Sequence, residues 1–202
     1  YEIKEINGIK VAIVGAVTAD TASLVSPAGI SDITFGDPVQ AINTQAALLT
    51  DGNEGNGEAD VVIATIHEGA ANGKSTPGEN AAASAAFKSI YESISDKVNV
   101  VFNAHTHQEY NWTTSKSGVP LVQAGSYGAK LAQVSLQVNT DGTVCGTPTA
   151  ALLTPPAADT SLPAIASIKK IADDATAEAN VIGAKVIADA TAPISLPAGL
   201  MK

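Results

Sequence analysis

The only histidines in this 202-residue chain are His67, His105 and His107. Each stands just after a short apolar run rich in β-branched residues. His67 follows Val61-Val62-Ile63-Ala64-Thr65-Ile66, and Asn103-Ala104-His105-Thr106-His107 follows the run at 98–102. Such runs read as buried strands. In open α/β sheets, ligand sites lie beyond the carboxyl ends of the strands, so the three imidazoles are expected at one sheet edge. Neutral imidazole is the commonest metal-ligand side chain, and three that converge suit Zn²⁺, Mn²⁺ or Fe²⁺. In extended backbone the His-x-His spacing turns both rings of His105 and His107 to the same side. A single histidine at a strand end is more often a plain polar cap. That all three stand at such positions favours the metal reading. Glu68 would then either hydrogen-bond a ligand from behind or stand as a solvated carboxylate. Tyr110 and Trp112 could flank a substrate, although core or loop packing is the commoner use.

The elements that must position these side chains alternate in type. Residues 9–15 form a short apolar run that stops at Gly15 and reads as a buried strand. Asp37-Pro38 looks like an N-cap with proline at the first helical position, and Val39, Ile42, Ala46 and Leu49 follow at helical spacing. Residues 51–58 are a loop by composition, 61–66 a second strand, and 70–78 another loop. A helix is expected over 79–94, with Phe87, Ile90, Tyr91 and Ile94 on one face, and then a third strand over 98–102. The β-α-β-α-β order with apolar strands predicts a covered sheet in a layered α/β domain. Strands at 119–124 and 131–138, with an Asn139-Thr140-Asp141-Gly142 turn leading to Val144, suggest an antiparallel meander. Pro155-Pro156 marks a boundary. It separates a domain over 1–155 from a connector helix that runs through Ile165, Ile168, Ile171, Ala175 and Ala179 to a stop near Gly183, within a segment spanning 156–202.

Composition sets the outer limits. Hydrophobic residues make up 45% of the chain and charged residues 15%, a globular balance. The net charge of −9 argues against a broad nucleic-acid surface, because phosphate contacts need clustered Lys and Arg. Cys145 is the single cysteine, which excludes an intramolecular disulfide. No apolar run approaches the roughly 20 residues of a membrane span. The chain begins at Tyr1 with neither an initiator methionine nor a signal-peptide pattern. A Rossmann dinucleotide site is not expected, because only Val14-Gly15-Ala16-Val17 stands where a Gly-x-Gly-x-x-Gly would be. An amidohydrolase-type barrel would place His-x-His early with further ligands after it, whereas here His67 precedes the pair.

Four motifs in order, Gly-Ile-Lys-Val-Ala-Ile-Val-Gly, Ile-His-Glu-Gly, Asn-Ala-His-Thr-His-Gln and Val-Gln-Ala-Gly-Ser-Tyr-Gly, resemble the later part of a calcineurin-like metallophosphoesterase domain. More narrowly, they are similar to the secreted bacterial 5′-nucleotidase / 2′,3′-cyclic phosphodiesterase group. That group's Gly-His-Thr-His appears here with Ala104 in the glycine's place. The resemblance runs over 8–127, and to 189 with the connector helix. It implies the later portion of an α/β/β/α sandwich with mixed sheets over 1–155, and the connector helix and start of a C-terminal domain over 156–202. It further implies hydrolysis of nucleoside 5′-monophosphates or related phosphate esters by a metal-bound hydroxide, two divalent ions (Zn, Mn or similar), and an extracellular or cell-envelope location. His67 and His105 match ligands of the second metal, and His107 matches a ligand of the first. Glu68, Asn103 and Gln123 fall beside the site without an assigned catalytic role. The family's Asp-x-His, bridging Asp and Asn-His motifs are not found in this sequence. The expectation is therefore a fragment that is inactive alone, whose partners are the substrate and the remaining portions of the same protein. The alternative is a non-catalytic or degenerate metal-binding or interaction domain.

Overall fold

The computed structural model describes residues 1–189; the expected start of a further domain in 190–202 lies outside the described residues. Two compact units are present, Tyr1–Pro155 and the segment that starts at Pro156.

The first unit is a mixed α/β fold. Strand β1 (Glu2–Ile6) turns through Asn7 and Gly8, both at positive φ (54° and 82°), into β2 (Ile9–Val17). Asn-Gly is the pair that favours a two-residue turn of this hand. One helical turn, α1 (Thr21–Leu24), and an irregular stretch lead to α2 (Pro38–Leu48). As the sequence predicts, Asp37 caps α2 and accepts hydrogen bonds from the Val39 and Gln40 amides. Next come β3 (Val61–His67), α3 (Pro77–Ala83), α4 (Ala85–Ser93), β4 (Val100–Asn103), β5 (Glu109–Thr113), β6 (Pro120–Ala124), β7 (Leu131–Val138) and β8 (Val144–Leu153). The single helix expected over 79–94 is instead two. Ser84 has extended backbone (φ −135°, ψ 119°) and caps α4 by accepting from the Phe87 amide. A serine side chain competes for backbone donors in this way, which is why it ends helices more readily than it continues them.

Six strands form one sheet in the order β1-β2-β3-β4-β6-β5. The inner strands β2, β3, β4 and β6 run parallel, with β1 and β5 antiparallel at the edges. The expected meander of the second half is therefore corrected: β6 joins the parallel ladder beside β4, and only β7 and β8 form a separate antiparallel pair. Alternation assigns the two faces. Ala12 and Val14 of β2, Val62, Ala64 and Ile66 of β3, Val101 of β4 and Leu121 of β6 are buried with Ile42 of α2, its C-cap Leu49, and Phe87 and Ile90 of α4. Tyr110 and Trp112 join this helix-side core. Their rings stack at 4.1 Å and meet Phe87 edge-on, the packing use that the sequence favours for them. On the opposite face, Asn111 donates through Nδ2 to the Ala150 carbonyl of β8 at 2.7 Å, which places the β7–β8 pair over the β5–β6 end. Toward β2 that face is open, with Ile13 38% and Val17 48% exposed.

The second unit is dominated by α5 (Pro163–Gly183), whose bounds match the expected connector helix. Lys169–Asp173 and Lys170–Asp174 pair along its surface at i,i+4 spacing.

Candidate metal-ligand site at the carboxyl ends of the strands

The parallel register carries the histidines to one edge. Val17 at the end of β2 pairs with His67 at the end of β3, and Ile66 pairs with Asn103 at the end of β4. His105 lies two residues beyond β4, and its ring meets that of His67 at a centroid distance of 5.1 Å and an angle of 61°. His67 is solvent-exposed and His105 half-buried, so the pair stands at the surface. Beside it runs an open groove of about 550 Å³ lined by Gly15, Val17, Thr65, His67, Phe102 and Ala104 among others.

His107 is placed differently from the extended-backbone expectation. His105 and His107 both adopt left-handed backbone, with φ of 71° and 58°, so the segment is a coiled turn and its side chains do not alternate as in a strand. The ring of His107 lies against Tyr127, with centroids 5.6 Å apart. Left-handed conformations at two non-glycine residues cost free energy, and such conformations concentrate at functional sites.

The turn persists because Gln123 holds it from beneath. This side chain is 1% exposed and belongs to β6. Its Oε1 accepts from the Gln108 amide at 2.7 Å, and its Nε2 donates to the Ala104 carbonyl at 3.0 Å and the Tyr110 hydroxyl at 3.1 Å. Thr106 Oγ1 lies within hydrogen-bond reach of both ends of the amide. Burial pushes the Tyr110 phenol up to about 12, so it stays protonated and available to this network. Gly69 is part of the same packing. A Cβ there would come within 2.8 Å of the Ala104 carbonyl oxygen and 2.9 Å of Thr106 Oγ1.

Glu68 is buried, so it is not a solvated carboxylate. It accepts from the Thr18 hydroxyl at 2.7 Å and from the Gly69 amide at 2.9 Å. Asn103 donates through Nδ2 to the Glu68 carbonyl at 2.8 Å, while its buried Oδ1 has no hydrogen-bond partner among the described residues. Sequence reasoning passed over Thr18, Thr106 and Gly69. Thr106 and Gly69 stand next to histidine motifs, but their part in the network depends on which strand lies beneath them.

His67 and His105 offer two adjacent imidazoles. Among the described residues, however, no three His, Cys, Asp or Glu side chains are grouped to hold a metal ion. The described residues therefore bring two imidazoles together without a third grouped donor. Among the described residues no helix is long and apolar enough to cross a membrane.

No family model matches the chain. Endonuclease YhcR of Bacillus subtilis is 29% identical over 139 residues, which is 69% of this chain and 10% of that protein, so the chain spans about a tenth of that relative's length. Among solved structures, the putative 5′-nucleotidase of Staphylococcus aureus in complex with alpha-ketoglutarate superposes with a TM-score of 0.59 at 14% identity, covering 86% of this chain and 33% of that one. A 5′-nucleotidase precursor of Thermus thermophilus gives 0.51 at 20% identity, over 77% of this chain and 30% of that one. The sulfate thiohydrolase SoxB of Thermus thermophilus in complex with glycerol gives 0.53 at 17% identity, over 76% and 24%. The chain is similar in sequence to part of an endonuclease, and it shares its α/β fold with parts of these hydrolases.

Proposed function

We propose that this chain is the histidine-bearing portion of a metal-dependent phosphoester hydrolase of the 5′-nucleotidase type. In this reading His67 and His105 ligate one divalent ion and His107 ligates a second, as the motif resemblance implies, and the carboxylate ligands come from polypeptide outside this sequence. The observation that carries it is the 5.1 Å approach of the His67 and His105 rings at the carboxyl edge of a parallel sheet. The likeness to two 5′-nucleotidase structures and to an endonuclease supports the same chemical class. A net charge of −9 favours nucleotide-sized esters over a polymeric nucleic acid. One structural neighbour is a 5′-nucleotidase precursor, which supports an extracellular or envelope location.

Glu68, Asn103 and Gln123 shape the ligand-bearing turns from behind. Two divalent ions, when bound, would polarise the ester and supply a hydroxide nucleophile. The absence of a three-donor group among the described residues favours a second reading, a degenerate or non-catalytic contact domain. One experiment separates the two. The 202-residue chain supplied with Zn²⁺ or Mn²⁺ is expected to leave AMP and p-nitrophenyl phosphate intact. The polypeptide expressed at the full length of its gene is expected to hydrolyse at least one of them, and His105→Ala in that protein to lower the rate by a factor of 100 or more, roughly 3 kcal/mol at ~1.4 kcal/mol per tenfold. An inactive full-length protein, or undiminished activity in His105→Ala, refutes the hydrolase reading.

A further inference from the structure

Asparagine followed by glycine is chemically labile, because a glycine amide meets no side chain of its own as it closes on the preceding carboxamide. Three such pairs occur here, Asn7-Gly8, Asn56-Gly57 and Asn72-Gly73. They are alike in sequence, but the fold holds their reacting groups differently. Asn56 donates through Nδ2 to Asp51 Oδ2 at 3.0 Å, and the Gly57 amide donates to the Glu54 carbonyl at 3.3 Å. Asn72 Oδ1 accepts from the Lys74 amide at 3.0 Å, and the Gly73 amide donates to Gln108 Oε1 at 3.0 Å. Gly73 is also wedged in place, since a Cβ there would come within 2.4 Å of the Glu109 carbonyl oxygen. Asn7-Gly8 has none of these restraints. Both residues are exposed, and among the described residues neither the Asn7 side chain nor the Gly8 amide has a hydrogen-bond partner. The turn joins an edge strand, β1, that is bonded only to β2, so local opening breaks the end of one ladder and nothing more.

From this contrast we infer that Asn7 is a site of spontaneous deamidation whose isoaspartyl product unpairs β1 from β2. The Gly8 nitrogen attacks Asn7 Cγ. An N–Cγ bond forms, the Cγ–Nδ2 bond breaks, and the side-chain nitrogen leaves as ammonia with the proton from the Gly8 amide. Water then adds to either carbonyl of the succinimide and opens the ring. One opening gives aspartate. The other gives isoaspartate, whose main chain runs through the former side chain and is longer by one methylene. A two-residue turn with φ of 54° and 82° cannot take up that extra atom and keep register, so the Ile6↔Ile9 pair is lost first. β2 then becomes the sheet edge with Ile13 and Val17 already exposed, the kind of edge that pairs with other chains.

The test ages the 202-residue chain in mildly alkaline buffer and follows each Asn-Gly peptide by mass spectrometry, with fragmentation that separates isoaspartate from aspartate. Releasing one ordinary hydrogen bond lowers a reactive population by about two- to tenfold. Asn56 and Asn72 must each release two, so Asn7 is expected to convert about tenfold or more faster than either. In concentrated urea the three rates should converge. In Gln108→Leu the rate at Asn72 in the folded chain should rise by about two- to tenfold. The isoaspartyl fraction, isolated through its added negative charge, should lose amide protection in β1 while β3 keeps it. Equal rates in the folded chain, a lead at Asn56 or Asn72, or a lead at Asn7 that persists in urea overturns the assignment of the site. An unchanged Asn72 rate in Gln108→Leu overturns the protection assigned to that hydrogen bond. Parent-like protection of β1 in the isoaspartyl protein overturns the unpairing.

Discussion

Replacing Gln123 with leucine tests whether the histidine turn is held by the single buried amide beneath it. Leucine keeps roughly the same volume, so packing is preserved and the hydrogen bonds are the variable. The Gln108 amide loses the acceptor it meets at 2.7 Å, and the Ala104 carbonyl loses its bond to Nε2 but keeps one from the Thr106 amide at 2.8 Å. A buried donor left unpaired costs about 1–3 kcal/mol, and a lost ordinary bond about 0.5–1.5 kcal/mol. The Tyr110 hydroxyl still accepts from the Ala70 amide, so its contribution is small. The expected loss is about 2–4 kcal/mol, which at a urea dependence of about 2 kcal/mol per molar lowers the midpoint by about 1–2 M with an unchanged slope. Trp112, the only tryptophan, stacks on Tyr110 and reports the transition by fluorescence. Amide exchange at Gln108 supplies the local readout, with protection falling further there than in β2 or β3. A midpoint within 0.3 M of the parent (below about 1 kcal/mol), with Gln108 protection retained, would show that the turn stands without this network.

Two further outcomes follow from the same network. Gly69→Ala forces a Cβ against the Ala104 carbonyl, a backbone atom that cannot rotate away, so a loss of about 1–3 kcal/mol by urea denaturation is expected; a neutral substitution would mean that the turn is loosely packed. For pH, burial raises the Tyr110 phenol from 10.0 to about 12. Its contribution is fully present below the unfolded value and is lost as pH rises through the folded one. Stability should therefore fall between pH 10 and about 12, by at most about 3 kcal/mol, because the unfolded chain sheds this proton first. Tyr110→Phe, compared by urea titration across that window, should flatten the decline, and an equal decline in both proteins would remove Tyr110 as its source.

The parallel core of the fold was legible because its strands are continuous apolar runs that end in recognisable punctuation. The runs at 9–15, 61–66 and 98–102 correspond to β2, β3 and β4, and Asp37-Pro38 marked the start of α2. The edge strands were not read. β1 is half polar, and its clearest sign was the Asn7-Gly8 turn; β5 reads as polar-aromatic because alternate residues face the core and the β8 strand. The pairing of β6 with β4 was hidden for a different reason: a strand's sequence carries no label for its neighbour, and local order suggested a meander. At the site, the convergence of His67 with His105 followed from the strand-end rule. The left-handed backbone at His105 and His107 did not, because a strand-end motif carries no sign of the buried Gln123 that hydrogen-bonds the segment from a distant strand. Glu68 looked as much like a surface carboxylate as a buried one until Thr18, fifty residues away, was placed against it.

Two features of the six-stranded sheet meet at its histidine edge. Helices α2 and α4 pack on one face, while the β7–β8 pair covers the other only at its β5–β6 end, leaving Ile13 and Val17 exposed on β2. Contiguous apolar surface on a sheet face is unfavourable in water and marks a surface that packs against something else. Val17 is paired directly with His67, so the uncovered apolar strip runs into the two imidazoles whose donor set is incomplete. A layer laid over β2 and β3 would bury the strip, and any carboxylate at its near end would arrive within reach of His67. A layer that buried Ile13 and Val17 without bringing a carboxylate would stabilise the sheet and leave the histidines without function. For this reason the proposed activity is tied to the full-length polypeptide: the same contact that satisfies the hydrophobic face would have to complete the ligand set.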